Sequence, residues 1–351
     1  MRVLFVEISL KGHRVGYLKT LVENCKHSIA LLPENSDEVE CKQVIMKSGF
    51  DKLQDYKSYL KWIREISELA EREKVDFIHF LCGDVLYRYW GLGLSKIKKM
   101  KIVTFHHMKF DFVRSISIKQ IFRRIECGVV HTESLNKSLQ ELSINNSVKI
   151  EYPVFNKKLD IKKEIARVSL GLPQDARVMV TLGGTQRYKG IDILLEAMDK
   201  VTEPFYLIMT GVTRDISEKY IIEKVEPYKD RVKLNLSRLT DEEFSQTIIA
   251  ADILLLPYRF EFDGASGPMV EGAWYRKYII GASHGSMGGL IRRYELGSTF
   301  ETENADDLAR VINKILSGDI VWSEKAELFR ENLTVDKFLE SYNSLYTQYK
   351  N

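Results

Sequence analysis

Between Asp252 and Gly289 the chain reads as a short buried strand, a glycine-punctuated loop, a helix, a second buried strand and another glycine-rich loop. A run as short and as wholly apolar as Ile253–Leu256 has no polar face to offer water, so it must be covered on both sides. Pro257 ends it. Gly264, Ser266 and Gly267 then allow a tight turn, and Pro268 suits the first turn of the helix that follows. The first amides of a helix have no intrahelical partners and attract anions. Glu271, one turn further in, would repel an anion but is placed to accept hydrogen bonds from sugar hydroxyls. Amides for a diphosphate and an acceptor for a ribose are what a nucleotide-sugar requires.

The rest of the chain repeats this grammar. In the first half, apolar runs at Val3–Ile8, Asp76–Leu81, Ile102–Phe105, Gly128–His131 and Val148–Glu151 predict strands. Tyr17–Asn24, Tyr56–Arg72 and Glu133–Leu142 have helical spacing. Residues 156–176 are charged, carry the turn GLPQD and read as a connection with a short helix. The alternation then restarts, with strands at Val178–Leu182, Phe205–Met209, Val232–Leu236, Ile253–Leu256, Tyr278–Gly281 and Ser298–Phe300. Helices are expected at Ile191–Lys200, Asp241–Ala250 and Ala305–Leu316, and Thr334 can cap a final helix through Tyr349. Such alternation implies α/β architecture with parallel sheets covered by helices on both faces. A length of 351 residues fits two domains. They are expected at residues 1–155 and 156–330, with a C-terminal helix, 331–351, packing back on the first. Two Rossmann-like units then face each other, and a ligand is expected in the cleft at their strand ends.

Composition excludes more than it assigns. The 52 basic and 49 acidic residues leave a net charge of +3, which selects no partner by itself. No apolar run approaches the roughly 18–20 residues that span a bilayer. The start MRVLFVEISLKG is charged too early for a signal peptide. Cys25, Cys41, Cys82 and Cys127 have neither disulfide-framework nor zinc spacing, which fits a reducing cytoplasm.

The second half opens with VTLGGTQRYKGIDILLEA. Gly183 and Gly184 follow a strand, Lys189 and Gly190 start a helix, and Arg187 lies between. A glycine turn, two cations and a helix start suit a diphosphate whose charge grows as it leaves. The same residues also describe a plain strand–helix turn with solvated cations.

Taken together, YKGIDILLEA, TDEEFSQTIIAADILLLP, DGASGPMVE and the Gly288-Gly289 loop resemble the family 4 retaining glycosyltransferases of the GT-B fold, of the bacterial surface-polysaccharide type. The resemblance covers most of the chain and is strongest in the second half. It implies that Glu271 binds the donor ribose and that Gly264, Ser266 and Gly267 present amides to sugar and diphosphate. Gly183 and Gly184 would line the same donor site. It implies that Lys189 and Arg187 neutralise the diphosphate. Asp263 stands where the family carries a glutamate, one methylene shorter. Arg187 is closer to Lys189 than in many members. In the first half, His106 of TFHH matches the strand-end histidine that contacts the donor sugar. A hydrogen-bonded structural role is the other reading of His106. Gly12 and Gly16 fall where the family has a glycine-rich turn near the acceptor. No GxGxxG follows the first strand, which counts against a nicotinamide-binding protein.

Glu261 and Asp263 form too small a carboxylate set for a metal site, and His79 reads as structural. No metal and no cofactor is expected beyond the nucleotide-sugar itself, UDP- or GDP-linked. From Lys96 to Arg124 nine basic residues, interleaved with apolar ones, face only Asp111. This stretch suits an anionic membrane or a solvated helix face, and no RNA-binding motif accompanies it. The implied function is metal-independent, retaining transfer of a sugar to a hydroxyl of a glycan or lipid-linked acceptor, in the cytoplasm or at the inner face of the plasma membrane. A non-catalytic relative that binds sugar or nucleotide is the alternative.

Overall fold

The apolar runs Val3–Val6, Ile29–Leu32 and Ile253–Leu256 are strands with both faces covered in the computed structural model. The structure describes residues 1–11, 13–50, 55–155, 159–262, 264 and 266–349. The chain divides into two units, residues 1–155 with 335–351 and residues 156–334.

In the first unit, β1 (Val3–Val6), β2 (Ile29–Leu32), β3 (Lys42–Ile45), β4 (Phe77–Phe80), β5 (Met100–Phe105), β6 (Cys127–Val130) and β7 (Ser147–Lys149) form one parallel sheet. Its order is β3-β2-β1-β4-β5-β6-β7. The crossovers carry α1 (His13–Asn24), α2 (Tyr56–Arg72), α3 (Gly83–Leu86), α4 (Phe112–Phe122) and α5 (Glu133–Glu141). Asp55 caps α2 by accepting from the Ser58 amide, and Tyr59, Trp62, Ile63 and Ile66 form its buried stripe. β2 and β3 were not anticipated. IALL is four residues long, and KQVI carries two polar side chains, so neither gives a decisive pattern.

In the second unit, β8 (Val178–Leu182), β9 (Tyr206–Thr210), β10 (Val232–Asn235), β11 (Ile253–Leu256), β12 (Tyr278–Ala282) and β13 (Gly297–Phe300) form a parallel sheet. Its order is β10-β9-β8-β11-β12-β13. The helices are α6 (Lys163–Ser169), α7 (Ile191–Met198), α8 (Glu218–Val225), α9 (Asp241–Ala250), α10 (Gly267–Trp274), α11 (Gly285–Arg293), α12 (Ala305–Leu316) and α13 (Glu324–Glu331). Thr240 and Glu243 close a reciprocal capping box on α9. The strand order reverses between β1 and β4 in one sheet and between β8 and β11 in the other. At such a switch point the flanking loops diverge and leave a crevice at the carboxyl ends.

Two expectations are corrected. Gly288 and Gly289 lie in α11, not in a loop. A Cβ on Gly288 would strike the Ser283 carbonyl, so the glycine permits close helix packing. Residues 331–334 stay with the second unit, because Phe329 and Leu333 are buried there.

The last helix, α14 (Val335–Gln348), returns to the first unit and buries Phe338, Tyr342 and Tyr346. Two of its tyrosines enter a buried polar chain. Tyr346 Oη lies 2.7 Å from His79 Nδ1, and His79 Nε2 lies 2.8 Å from Thr104 Oγ1. Thr104 meets the Tyr342 hydroxyl at 3.1 Å, and Tyr342 in turn bonds Tyr17. Tyr17 Oη lies 3.2 Å from Nε2 of His131, whose Nδ1 is 2.9 Å from the Ile150 carbonyl. Burial lowers His79 to about 3, so it stays neutral and serves this chain as one donor and one acceptor. Removing the Tyr342 hydroxyl deprives Thr104 and Tyr17 of a partner in a dry core. Tyr342→Phe is therefore expected to cost about 1–3 kcal/mol in urea denaturation. An unchanged midpoint would show that this hydroxyl contributes nothing.

Candidate functional site

In the second unit the loops after β8 and β11 meet at the switch point. Gly190 makes this possible. Its φ is +64°, and a Cβ there would collide with the Pro257 carbonyl. Around it, the Arg259 amide donates to the Tyr188 carbonyl at 2.9 Å, and the Arg259 guanidinium pairs with Asp192. Tyr188 and Phe262 stack at 5.7 Å. Lys189 reaches across the junction, donating to the Tyr258 hydroxyl, with Nζ 4.1 Å from the Tyr258 ring centroid.

Tyr258 leads on to α10. Its hydroxyl is 3.2 Å from Oγ of Ser266, the residue that caps α10 by accepting from the Met269 amide. Among the described residues nothing lies within 4 Å of where a Cβ of Gly267 would sit, so the helix start is open to them on that side. Gly264 is buried in the turn before it. Glu271 is 9% exposed, and burial, with Asp241 nearby, raises its pKa to about 7. Gly183, at φ +104°, has Lys189 Nζ 3.8 Å from its Cβ position, and Gly184 packs on Gln186 and the Val212 carbonyl. The structure therefore brings Gly183, Gly184, Lys189, Ser266 and Gly267 around one junction and puts Glu271 on the helix that starts there.

Arg187 is held differently. Its side chain is 73% exposed and pairs with Glu261 at 3.7 Å, while its amide donates to Asp215 at 2.8 Å. Glu261, weighed as half of an acidic pair, is thus an arginine partner. Asp263 lies outside the described residues. Among the described residues no group of three or more His, Cys, Asp or Glu side chains is arranged to hold a metal ion.

In the first unit, His106 follows β5 and is buried. Its ring meets Tyr17 edge-on at 5.2 Å and lies 5.3 Å from His131, while His107 faces solvent. Asp84 fixes this turn by accepting from the amides of both histidines at 3.0 Å. At the first unit's own switch point, Glu7 accepts from the Ile8 and Ser9 amides and from Arg14 at 2.8 Å, and burial raises its pKa. Gly16 is not a turn residue. It lies within α1, where a Cβ would make ordinary contact with Phe155 at 3.5 Å. Gly12 lies outside the described residues.

The basic stretch is not one surface. Lys101 is buried and donates to the carbonyls of Ile97 and Lys99, and Arg124 donates to those of Trp90 and Gln120. Because α4 runs back from the end of β5 to the start of β6, Lys96, Lys98 and Arg123 lie at the amino edge of the sheet. Lys109 and Arg114 lie at the carboxyl edge, beside Phe112 at 82% and Val113 at 57% exposure. No described helix is long and apolar enough to cross a membrane.

Sequence reading missed Tyr258, Tyr188, Phe262 and Asp84. For Tyr258 a signal existed in retrospect: an aromatic two residues past a four-residue apolar strand is at the carboxyl edge, where loops meet ligands.

Residues 162–334 match the family model described as glycosyl transferases group 1. The D-inositol 3-phosphate glycosyltransferase of Mycolicibacterium smegmatis is 23% identical over 256 residues, which take in 68% of this chain. The match spans 57% of that relative's length. Among solved structures, a glycosyltransferase from Rickettsia africae has a TM-score of 0.78 at 18% identity, over 99% of this chain and 98% of that one. HepE of Anabaena, in complex with UDP and glucose, has a TM-score of 0.77 at 14% identity, over 99% and 100% of the two chains. The fold is thus that of GT-B proteins, with two parallel-sheet, Rossmann-like domains.

Glu271 gives this site a measurable cost. Its pKa is about 7 in the fold against 4.5 when exposed. The protonated form is the one the fold accommodates, so its contribution is fully present below pH 4.5 and is lost as pH rises through about 7. Glu271→Gln has no charge to bury. Relative to wild type it should gain on the order of 3 kcal/mol between about pH 4 and pH 8, measured by urea denaturation without ligand. Parallel pH profiles for the two proteins would mean that burial of Glu271 is not penalised.

Proposed function

Starting from a second unit that carries a glycosyl transferases group 1 domain of the GT-B type, we propose that this protein is a retaining glycosyltransferase acting on a nucleotide-diphosphate sugar. The observation that carries this reading is the convergence of Lys189 and the open, Ser266-capped start of α10 at the switch point, with Glu271 one turn into that helix. Amides and ammonium suit a diphosphate, and the buried carboxylate suits ribose hydroxyls. The description of HepE with UDP and glucose supports a uridine donor.

In the transfer, the bond from the sugar's anomeric carbon to the β-phosphate oxygen breaks. Lys189 and the helix amides stabilise the charge that develops on the diphosphate. The acceptor oxygen bonds to the anomeric carbon on the face the diphosphate leaves, and its proton passes to a diphosphate oxygen. Nothing in this sequence of events calls for a divalent cation, since fixed positive charge does the metal's electrostatic work. Transfer, or donor hydrolysis in the absence of acceptor, is expected to proceed in chelator. Lys189→Ala should lower turnover by roughly 100-fold, the scale of losing one oxyanion-stabilising group. Abolition by EDTA with recovery on adding magnesium or manganese, or near-wild-type turnover in Lys189→Ala, would overturn this mechanism.

The acceptor reading is a lipid-linked glycan of surface polysaccharide assembly, met at an anionic membrane. Phe112 and Val113 stand exposed beside Lys109 and Arg114 at the same sheet edge as His106, a combination that fits headgroups and acyl chains together. Burying a large apolar side chain in lipid contributes about 1.5–3 kcal/mol. Phe112→Glu with Val113→Glu should therefore abolish co-sedimentation with anionic vesicles and leave donor hydrolysis intact. Reversing Lys96 and Lys98 should change little. Vesicle binding that survives the first pair, or is lost with the second, would place the membrane elsewhere.

A further inference from the structure

Lys189 is borne on a long flexible stem, yet three rings surround its ammonium. Nζ lies 4.1 Å from the Tyr258 centroid, 5.7 Å from that of Tyr188 and 5.9 Å from that of Phe262. Only one of these rings also bonds it. Tyr258 is 1% exposed, and its hydroxyl accepts from Lys189. A phenol has one proton and two lone pairs, so that proton remains available to Ser266 Oγ at 3.2 Å. Ser266 Oγ in turn accepts from the Met269 amide at 3.3 Å. Phe262 packs edge-on against the Tyr258 ring at 4.8 Å and holds its plane.

We infer that Tyr258 is the positioning residue of the donor site: it fixes the Lys189 ammonium and ties it to the cap of α10, so that lysine and helix start meet one diphosphate as a unit. The inference rests on the reading of Lys189 as a diphosphate ligand. The backbone is already pinned, because Gly190 abuts the Pro257 carbonyl one residue before Tyr258. What remains variable is the lysine side chain, whose rotamers the tyrosine restricts through a charge-assisted hydrogen bond and ring contact. Restricting a transition-state ligand before the substrate arrives lowers the barrier rather than the ground state.

Tyr258→Phe is the informative variant, since it keeps the ring and deletes the hydroxyl. It should lower kcat about tenfold, the scale of a hydrogen bond to a charged group, with donor KM within about threefold of wild type. In a Lys189→Ala background the same change should cost nothing further, because a residue acting through the lysine has nothing left to position. A second readout does not depend on activity. In protein whose lysines are reductively ¹³C-methylated, the Lys189 resonance, assigned by its absence in Lys189→Arg, should lie upfield and move toward the bulk lysine position in Tyr258→Phe. Wild-type kcat in Tyr258→Phe, an equal loss in the Lys189→Ala background, or a resonance that does not move would each overturn the inference. If Lys189→Ala itself leaves turnover unchanged, the functional reading of the lysine fails, and the resonance alone decides whether Tyr258 holds it.

Discussion

The Pro257 carbonyl occupies the place where any side chain on residue 190 would begin, and the loops of the second unit are organised around that contact. Two loops that leave a parallel sheet on opposite sides of a switch point would otherwise diverge. Here a glycine in the left-handed region lets them touch. The touch brings Lys189 within reach of Tyr258, sets Arg259 on Asp192 and stacks Tyr188 on Phe262. Each of these is a modest interaction. Their effect is to fix the relation between a cation and a helix start.

Much of the buried polarity of the first unit is paired within it. His79, Thr104, Tyr342, Tyr17 and His131 form a continuous chain beneath the strand ends, and a neutral imidazole in the middle serves both neighbours. Such a network specifies which side of α14 faces the sheet, because a rotated helix would strand two hydroxyls in apolar surroundings. The second unit tolerates a carboxylate whose charged form is disfavoured by burial at neutral pH.

The architecture was legible from strand-like runs and from helical spacing. Tyr56–Arg72, Asp241–Ala250, Ile253–Leu256 and Ala305–Leu316 could be bounded to the residue, since each has strong periodicity or a sharp break. The short strand β2, the edge strand β3 and helices α8 and α13 were not, because a few residues fit several structures. The loops that meet between β8 and β11 were legible for a local reason: their glycines and the proline mark the turns. Tyr258 and Asp84 were not. Their importance lies in partners 69 and 22 residues away in sequence, and composition carries no record of that distance. Gly16 misled, since a glycine near a loop resembles a turn residue until the helix start is fixed.

One feature of the fold bears on how the molecule is made. α14 completes the first unit, covering Tyr17 and Phe155 with Phe338 and Tyr342, yet it is encoded after the whole of the second. At translation rates of about 5–20 residues per second, the ribosome needs roughly ten to forty seconds to traverse the intervening unit. Throughout that interval the nascent first unit carries an open aromatic face and an unfinished hydrogen-bond chain, a surface that chaperones recognise and that a neighbouring nascent chain can capture. The second unit can close on its own as it emerges. The amino-terminal half, although born first, reaches its final core last.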